Sequence, residues 1–155
     1  MEIERKFLIK DIPDLSSITP VRYERYYIKR APGFEERIQK KDDVFEYEIK
    51  KEISNLERTK DKRIITEKEF NAFKNQVTES IIRDSYKINS TISIKKYYGK
   101  FVGLVRAEVE FDSIEKAKNF VPEVWMGKEI TDSPLGRDAK LLDLSEGDFK
   151  SLINK

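Results

Sequence analysis

The chain opens on Glu2-Ile3-Glu4-Arg5-Lys6-Phe7-Leu8-Ile9, where Ile3, Phe7 and Ile9 take odd positions and Glu2, Glu4 and Lys6 even ones. A repeat of two is that of a β-strand, whose side chains point alternately to its two faces. The same division returns in 44–50, with Phe45, Tyr47 and Ile49 against Glu46, Glu48 and Lys50. It returns again in 105–111, where Val105, Ala107, Val109 and Phe111 oppose Arg106, Glu108 and Glu110. Three strands therefore repeat one design, a mostly apolar face backed by a mostly charged one.

Further strands are expected over 22–29, 36–40, 58–64, 81–88 and 91–98. Pro32-Gly33, Asp42-Asp43 and Ser54-Asn55 mark turns, and Tyr97-Tyr98-Gly99-Lys100-Phe101 reads as a hairpin turn into the strand ending at Phe111. Thr66 and Glu69 form a capping box, with Phe70, Phe73 and Val77 following at helical spacing. Ser113 caps a short helix presenting Ile114, Ala117 and Phe120. Ser145 and Asp148 open a C-terminal helix carrying Phe149, Leu152 and Ile153. With no internal repeat, low-complexity tract or linker, residues 1–155 read as one domain.

Charged residues make up 39% of the chain, against about 25% in an average domain. The 9 Phe, 7 Tyr and 1 Trp argue for a packed core rather than disorder. The 31 basic and 29 acidic side chains are interleaved along the whole length, which argues against a DNA partner. No apolar run is long enough to span a bilayer and no signal segment opens the chain, so a cytoplasmic protein without a membrane partner is expected. Cys and His are absent, which excludes disulfides, Cys/His zinc sites and Ser-His or Cys-His nucleophile pairs. Any metal must be held by oxygen, as Mg²⁺ or Mn²⁺ is. Acid–base chemistry falls to Glu, Asp, Lys, Tyr or an activated water.

Carboxylates recur at i, i+2 on separate strands. Glu2 and Glu4 stand about 7 Å apart on one face, as do Glu108 and Glu110. Closing the sheet brings such pairs toward a common interior, where like charges repel unless a cation sits between them. The expected fold is α+β: a closed antiparallel barrel of about eight strands around a charged tunnel, with a few helices packed outside. Lys40-Lys41 and Lys50-Lys51 read as solvated pairs, apart from Lys50, and Trp125 as packing.

Glu2-Ile3-Glu4-Arg5-Lys6 resembles the N-terminal E-x-E-x-K signature of the CYTH superfamily, the triphosphate tunnel metalloenzymes. Later segments fall in that family's order. Arg25-Tyr26-Tyr27-Ile28 is similar to its second strand, Glu36-Arg37-Ile38-Gln39 to R-x-R, and Tyr47-Glu48-Ile49-Lys50 to the T-L-K strand. Arg83-Asp84-Ser85-Tyr86 resembles K-x-R-Y, 103–111 the L-x-x-x-E-V-E strand, and 122–131 the P-x-W-x-G-x-E-V-T segment. The resemblance implies a tunnel that binds a triphosphate-containing small molecule, with acids on a divalent metal and bases on phosphate. Carried over by position, Glu2, Glu4, Glu108, Glu110 and Glu129 become metal-side residues for Mg²⁺ or Mn²⁺. Lys6, Arg25, Arg37, Lys50 and Arg83 become substrate contacts, and Arg83, Tyr27 and Lys6 candidate catalytic groups.

The chain also departs from the pattern. Gln39 and Ser85 stand where the family has Arg, Lys60 and Lys62 replace an acidic pair, Lys95 replaces an Asp, and 135–138 follows an R-Y-x-N pattern only loosely. The implied activity is metal-dependent hydrolysis of inorganic tripolyphosphate or a nucleoside triphosphate. The alternative is a non-catalytic domain that binds polyphosphate or an organophosphate. Class IV adenylate cyclase is disfavoured, because its His-containing strand has no counterpart here. A homodimer is left open.

Overall fold

The alternation along the sequence becomes the two sides of a barrel wall. The computed structural model describes residues 2–154. Its strands are β1 (Glu2–Ile9), β2 (Val21–Ala31), β3 (Phe34–Lys41), β4 (Val44–Glu52), β5 (Glu57–Ile64), β6 (Ser80–Lys87), β7 (Ile92–Tyr97), β8 (Val105–Phe111) and β9 (Met126–Glu129). They hydrogen-bond in the order β5-β4-β3-β2-β6-β7-β8-β1-β9, and β5 pairs back to β1. The result is a closed eight-stranded antiparallel barrel, with β9 added outside on β1. The closing seam is short, resting on the register Glu2↔Arg58 and Ile3↔Glu57. By contrast, β1 and β8 match from Ile3↔Phe111 to Leu8↔Arg106. Tight turns join β2 to β3 and β3 to β4, with Gly33 and Asp42 in the left-handed region (φ 71° and 51°).

Charged faces turn inward and apolar faces outward, so the hydrophobic cores lie between the wall and the helices. Helix α1 (Glu67–Lys74) starts at the expected capping box, with Thr66 accepting from the Glu69 N–H. Its Phe70 packs with Ile38 and Ile65, flanked by Tyr26, Phe45, Tyr47 and Phe73. Helix α2 (Ile114–Asn119), capped by Ser113, leads to Phe120 beside Phe7, Ile92, Ala107, Val109 and Met126; Trp125 packs on the same cluster. Each such buried side chain stabilises the fold by about 1.5–3 kcal/mol, which a lumen filled with charge cannot do.

A third apolar cluster closes one end of the barrel. Tyr27, Ile81, Tyr97, Phe101 and Leu104 meet Ile130, Leu135, Leu141 and Phe149 there. The C-terminal residues come from a 3₁₀ turn (Pro134–Gly136), helix α3 (Asp138–Leu141) and helix α4 (Glu146–Ile153), the last capped by Ser145 as expected. The 3₁₀ turn and α3 of this plug, together with β9, are the parts of the fold that hydropathy did not foretell. Among the described residues, no helix is long and apolar enough to cross a membrane.

Candidate functional site

Period-two parity decides which side chains reach the lumen. The inward positions are Glu2, Glu4 and Lys6 on β1, Tyr23 and Arg25 on β2, and Glu35, Arg37, Gln39 and Lys41 on β3. Glu48 and Lys50 come from β4, Arg58, Lys60 and Lys62 from β5, Arg83 from β6, Lys95 from β7, and Arg106, Glu108 and Glu110 from β8. With Arg137 and Asp138 from the plug, twelve basic and seven acidic side chains border a cavity of about 140 Å³. A second cavity of about 490 Å³, bordered by Arg30, Phe34 and Glu52, shares Glu35, Lys50, Arg58 and Arg137 with the first.

All of these acids except Glu110 lie within reach of bases, as buried charges must. Glu2 is 2.8 Å from Lys50 Nζ and 3.3 Å from Lys60 Nζ. Glu4 is 3.2 Å from Lys6 and 3.1 Å from Arg58. Glu48 accepts from Arg37 Nε at 2.9 Å and Nη2 at 2.6 Å; Arg37 also pairs with Glu35. Glu108 accepts from Arg106 Nη2 at 3.0 Å. Burial opposes ionisation of Glu2, but Lys50 and Lys60 hold it down to about 2. Burial likewise opposes ionisation of Glu108, and Lys95, Lys6 and Arg106 keep it well below the carboxylate range.

Asp138 is the hub. Its Oδ2 accepts from Arg25 Nη1 and Arg83 Nε, both at 3.0 Å, and its Oδ1 from Arg106 Nη2 at 3.0 Å and from the Tyr97 hydroxyl. Burial alone would raise this carboxyl; Arg83, Arg106 and Arg25 hold it well below its ordinary value. The plug backbone is tied in as well, with Lys6 Nζ donating to the Gly136 carbonyl at 2.6 Å and Arg106 Nη1 to that of Leu135 at 2.7 Å. A Cβ on Gly136 would lie 2.2 Å from the Ile130 carbonyl oxygen, so only glycine fits there.

Gln39, Lys62, Ser85 and Lys95, which depart from the pattern the sequence resembles, are built into this network. Gln39 takes Arg25 Nε on its oxygen at 2.8 Å and donates its amide to Glu46 at 2.7 Å and Glu48 at 3.0 Å. Lys62 reaches Glu46 at 3.1 Å. Lys95 Nζ lies 2.7 Å from Ser85 Oγ.

Lys6, Arg25, Arg37, Lys50 and Arg83 are thus brought together with Glu2, Glu4, Glu108 and Glu110. Glu129 is not. Because β9 lies on the outer edge of β1, the Glu129 carboxylate takes a bidentate contact from Arg5 at 2.9 and 2.6 Å, on the outer face. Tyr27 sits in the apolar plug. Burial, with Glu35 and Asp138 nearby, pushes its phenol far up, so it stays protonated and cannot serve as a base. Arg83 is an ion-pair partner of Asp138 and equally remains charged. Lys41, read as solvated from the sequence, borders the cavity. Asp138 and Tyr23 were missed. Tyr23 shares Arg25's parity, a signal that was legible; Asp138 lies in an aperiodic segment that carried none.

A divalent ion needs several oxygen donors around one point, and among the described residues no three carboxylates converge in that way. Glu2, Glu4 and Glu108 are engaged by lysine or arginine. Glu110 faces Glu4 across β1 and β8, and its pKa is raised by burial and by Glu4, Glu108 and Glu2. The donor set as arranged does not fit a resident Mg²⁺ or Mn²⁺.

No protein-family model and no curated sequence relative matches the chain. Solved structures do resemble it. The inorganic triphosphatase NE1496 superposes with a TM-score of 0.69 at 22% identity, covering 94% of this chain and 96% of that one. A Pyrococcus furiosus protein gives 0.55 at 23% identity over 96% and 94%. HpAC1 from Hippeastrum, an adenylyl cyclase-type protein with a dominant triphosphatase activity, gives 0.53 at 14% over 76% and 83%. At these identities the likeness is one of fold: the chain shares the architecture of these structures.

Proposed function

We propose that the tunnel binds an inorganic or nucleoside triphosphate and hydrolyses its terminal anhydride. The observation that carries this reading is the excess of positive charge in a closed lumen, where Lys6, Arg25, Arg37, Lys50 and Arg83 face one axis. A triphosphate is a short rod of several negative charges, and phosphoryl transfer depends mostly on holding such a rod in line while neutralising it. The similarity of the fold to an inorganic triphosphatase points the same way. In the reaction, a water oxygen bonds to the terminal phosphorus as the bridging P–O bond breaks, and diphosphate, or the nucleoside diphosphate, leaves onto the tunnel cations. Glu110, exposed and without a lysine or arginine partner among the described residues, takes the water's proton in this reading.

A second reading, a tunnel that binds a polyphosphate without turnover, is favoured by one feature: Glu2, Glu4 and Glu108 are already held in ion pairs. A phosphate-release assay on tripolyphosphate, ATP and thiamine triphosphate separates the two. Hydrolysis predicts release that Lys50→Ala reduces by about tenfold or more. Tight tripolyphosphate binding without release contradicts the hydrolase and leaves the binder.

A further inference from the structure

The cations of the tunnel are not all matched. Around the inward-facing ring of Tyr23 stand Arg83 at 4.8 Å from the centroid, Arg25 and Lys95 at 5.5 Å, and Lys41 at 5.9 Å. The strand register makes this unavoidable, since Tyr23 lies opposite Lys41 on β3 and opposite Arg83 on β6. Lys95 enters from β7, where it faces Ser85. Arg25 and Arg83 share Asp138. Among the described residues, Lys95 and Lys41 have no carboxylate at ion-pair distance; the Ser85 hydroxyl is the contact Lys95 makes. Arg83 is 3% exposed, yet its Nη1 has no hydrogen-bond partner. A buried guanidinium nitrogen left without an acceptor is costly, and here it stands in a cavity wall beside two unmatched ammonium groups.

We propose that Lys95, Arg83 and Lys41, gathered on Tyr23, form an anchor that takes a terminal phosphoryl group of the polyanion directly, with no divalent ion between. The inference rests on the tunnel being the triphosphate site. A phosphoryl group carries peripheral oxygens enough for Arg83 Nη1 and both ammonium groups at once, and its charge adds to that of Asp138 and Glu108 against this cluster of cations. Tyr23 contributes its ring face, which holds the cations near one another before the anion arrives. Burial, opposed by Glu108 and reinforced by Arg83, Arg25 and Arg106, brings Lys95 down to about 7. An anion in contact with it restores the charged form. The arrangement also accounts for the ion-paired acids elsewhere in the lumen, since Glu2, Glu4 and Glu108 act as internal counter-ions and not as a metal cage.

Calorimetric titration of tripolyphosphate into the intact chain, once in EDTA and once in excess Mg²⁺, tests this. The anchor predicts binding in EDTA, weakened about tenfold or more by Lys95→Gln and restored by Lys95→Arg. Lys41→Gln, at a half-buried position, gives a smaller loss in the same direction, and thermal melts confirm that each variant is folded. Binding seen only with Mg²⁺, or an affinity in EDTA indifferent to both glutamine variants, overturns the anchor while leaving the triphosphate reading in place. Absence of binding under both conditions overturns the two together.

Discussion

Asp138 carries more of the lumen than any other single side chain, because one buried carboxylate compensates three buried guanidinium groups. Removing one member of such a network leaves the others charged and unpaired, which costs about 3–5 kcal/mol. Asp138→Asn is therefore expected to lower the urea midpoint sharply at neutral pH. The acid response gives a second check. The folded-state pKa of Asp138 lies well below its ordinary 3.8, so its contribution is fully present above that value and lost as pH falls beneath it. The parent chain should lose stability steeply over that range, and the Asn variant, having no carboxyl there to titrate, should lose less. Parallel curves for the two would contradict the assigned role. None of this was legible from residues 135–138 alone, because the position of Asp138 is fixed by tertiary contacts with β2, β6 and β8 and not by any local repeat.

At the scale of elements, β1, β4 and β8 declared themselves through alternation, and the capping box at Thr66 and the cap at Ser113 located α1 and α2. These signals are local, so sequence suffices for them. Lys60 and Lys62 were set in the tunnel by resemblance alone, because 57–63 is polar on both faces; the register of β5 on β4 is what turns them inward. Glu129 shows where that logic stops. The segment resembles a family pattern, but β9 has only four residues and pairs outside the closed barrel, so its acid meets Arg5 and not the lumen. The plug depends on a different local rule, the absence of a side chain at Gly136. Gly136→Ala would force a methyl against the Ile130 carbonyl and push the 3₁₀ turn outward, detaching the backbone oxygens that Lys6 and Arg106 use. A loss of about 1–3 kcal/mol in denaturant unfolding is expected; an unchanged midpoint would show that the plug accommodates the methyl.

The whole molecule inverts the usual barrel, with apolar clusters outside the wall under α1 and α2 and nearly all of its buried charge within. The near-neutral sum of 31 bases and 29 acids conceals this separation, since the excess of positive charge is local to the lumen. The metal expected from the family resemblance is the point at which sequence and geometry part, because the retained acids are answered by lysines and arginines of the same tunnel. The most direct test of the central claim is a crystal structure of the chain with tripolyphosphate. The phosphates are expected to lie along the lumen, with oxygens on Lys6, Arg37 and Lys50 and one end at Arg83 and Lys95. Tripolyphosphate bound only on the outer surface, with the lumen's ion pairs undisturbed, would contradict the claim.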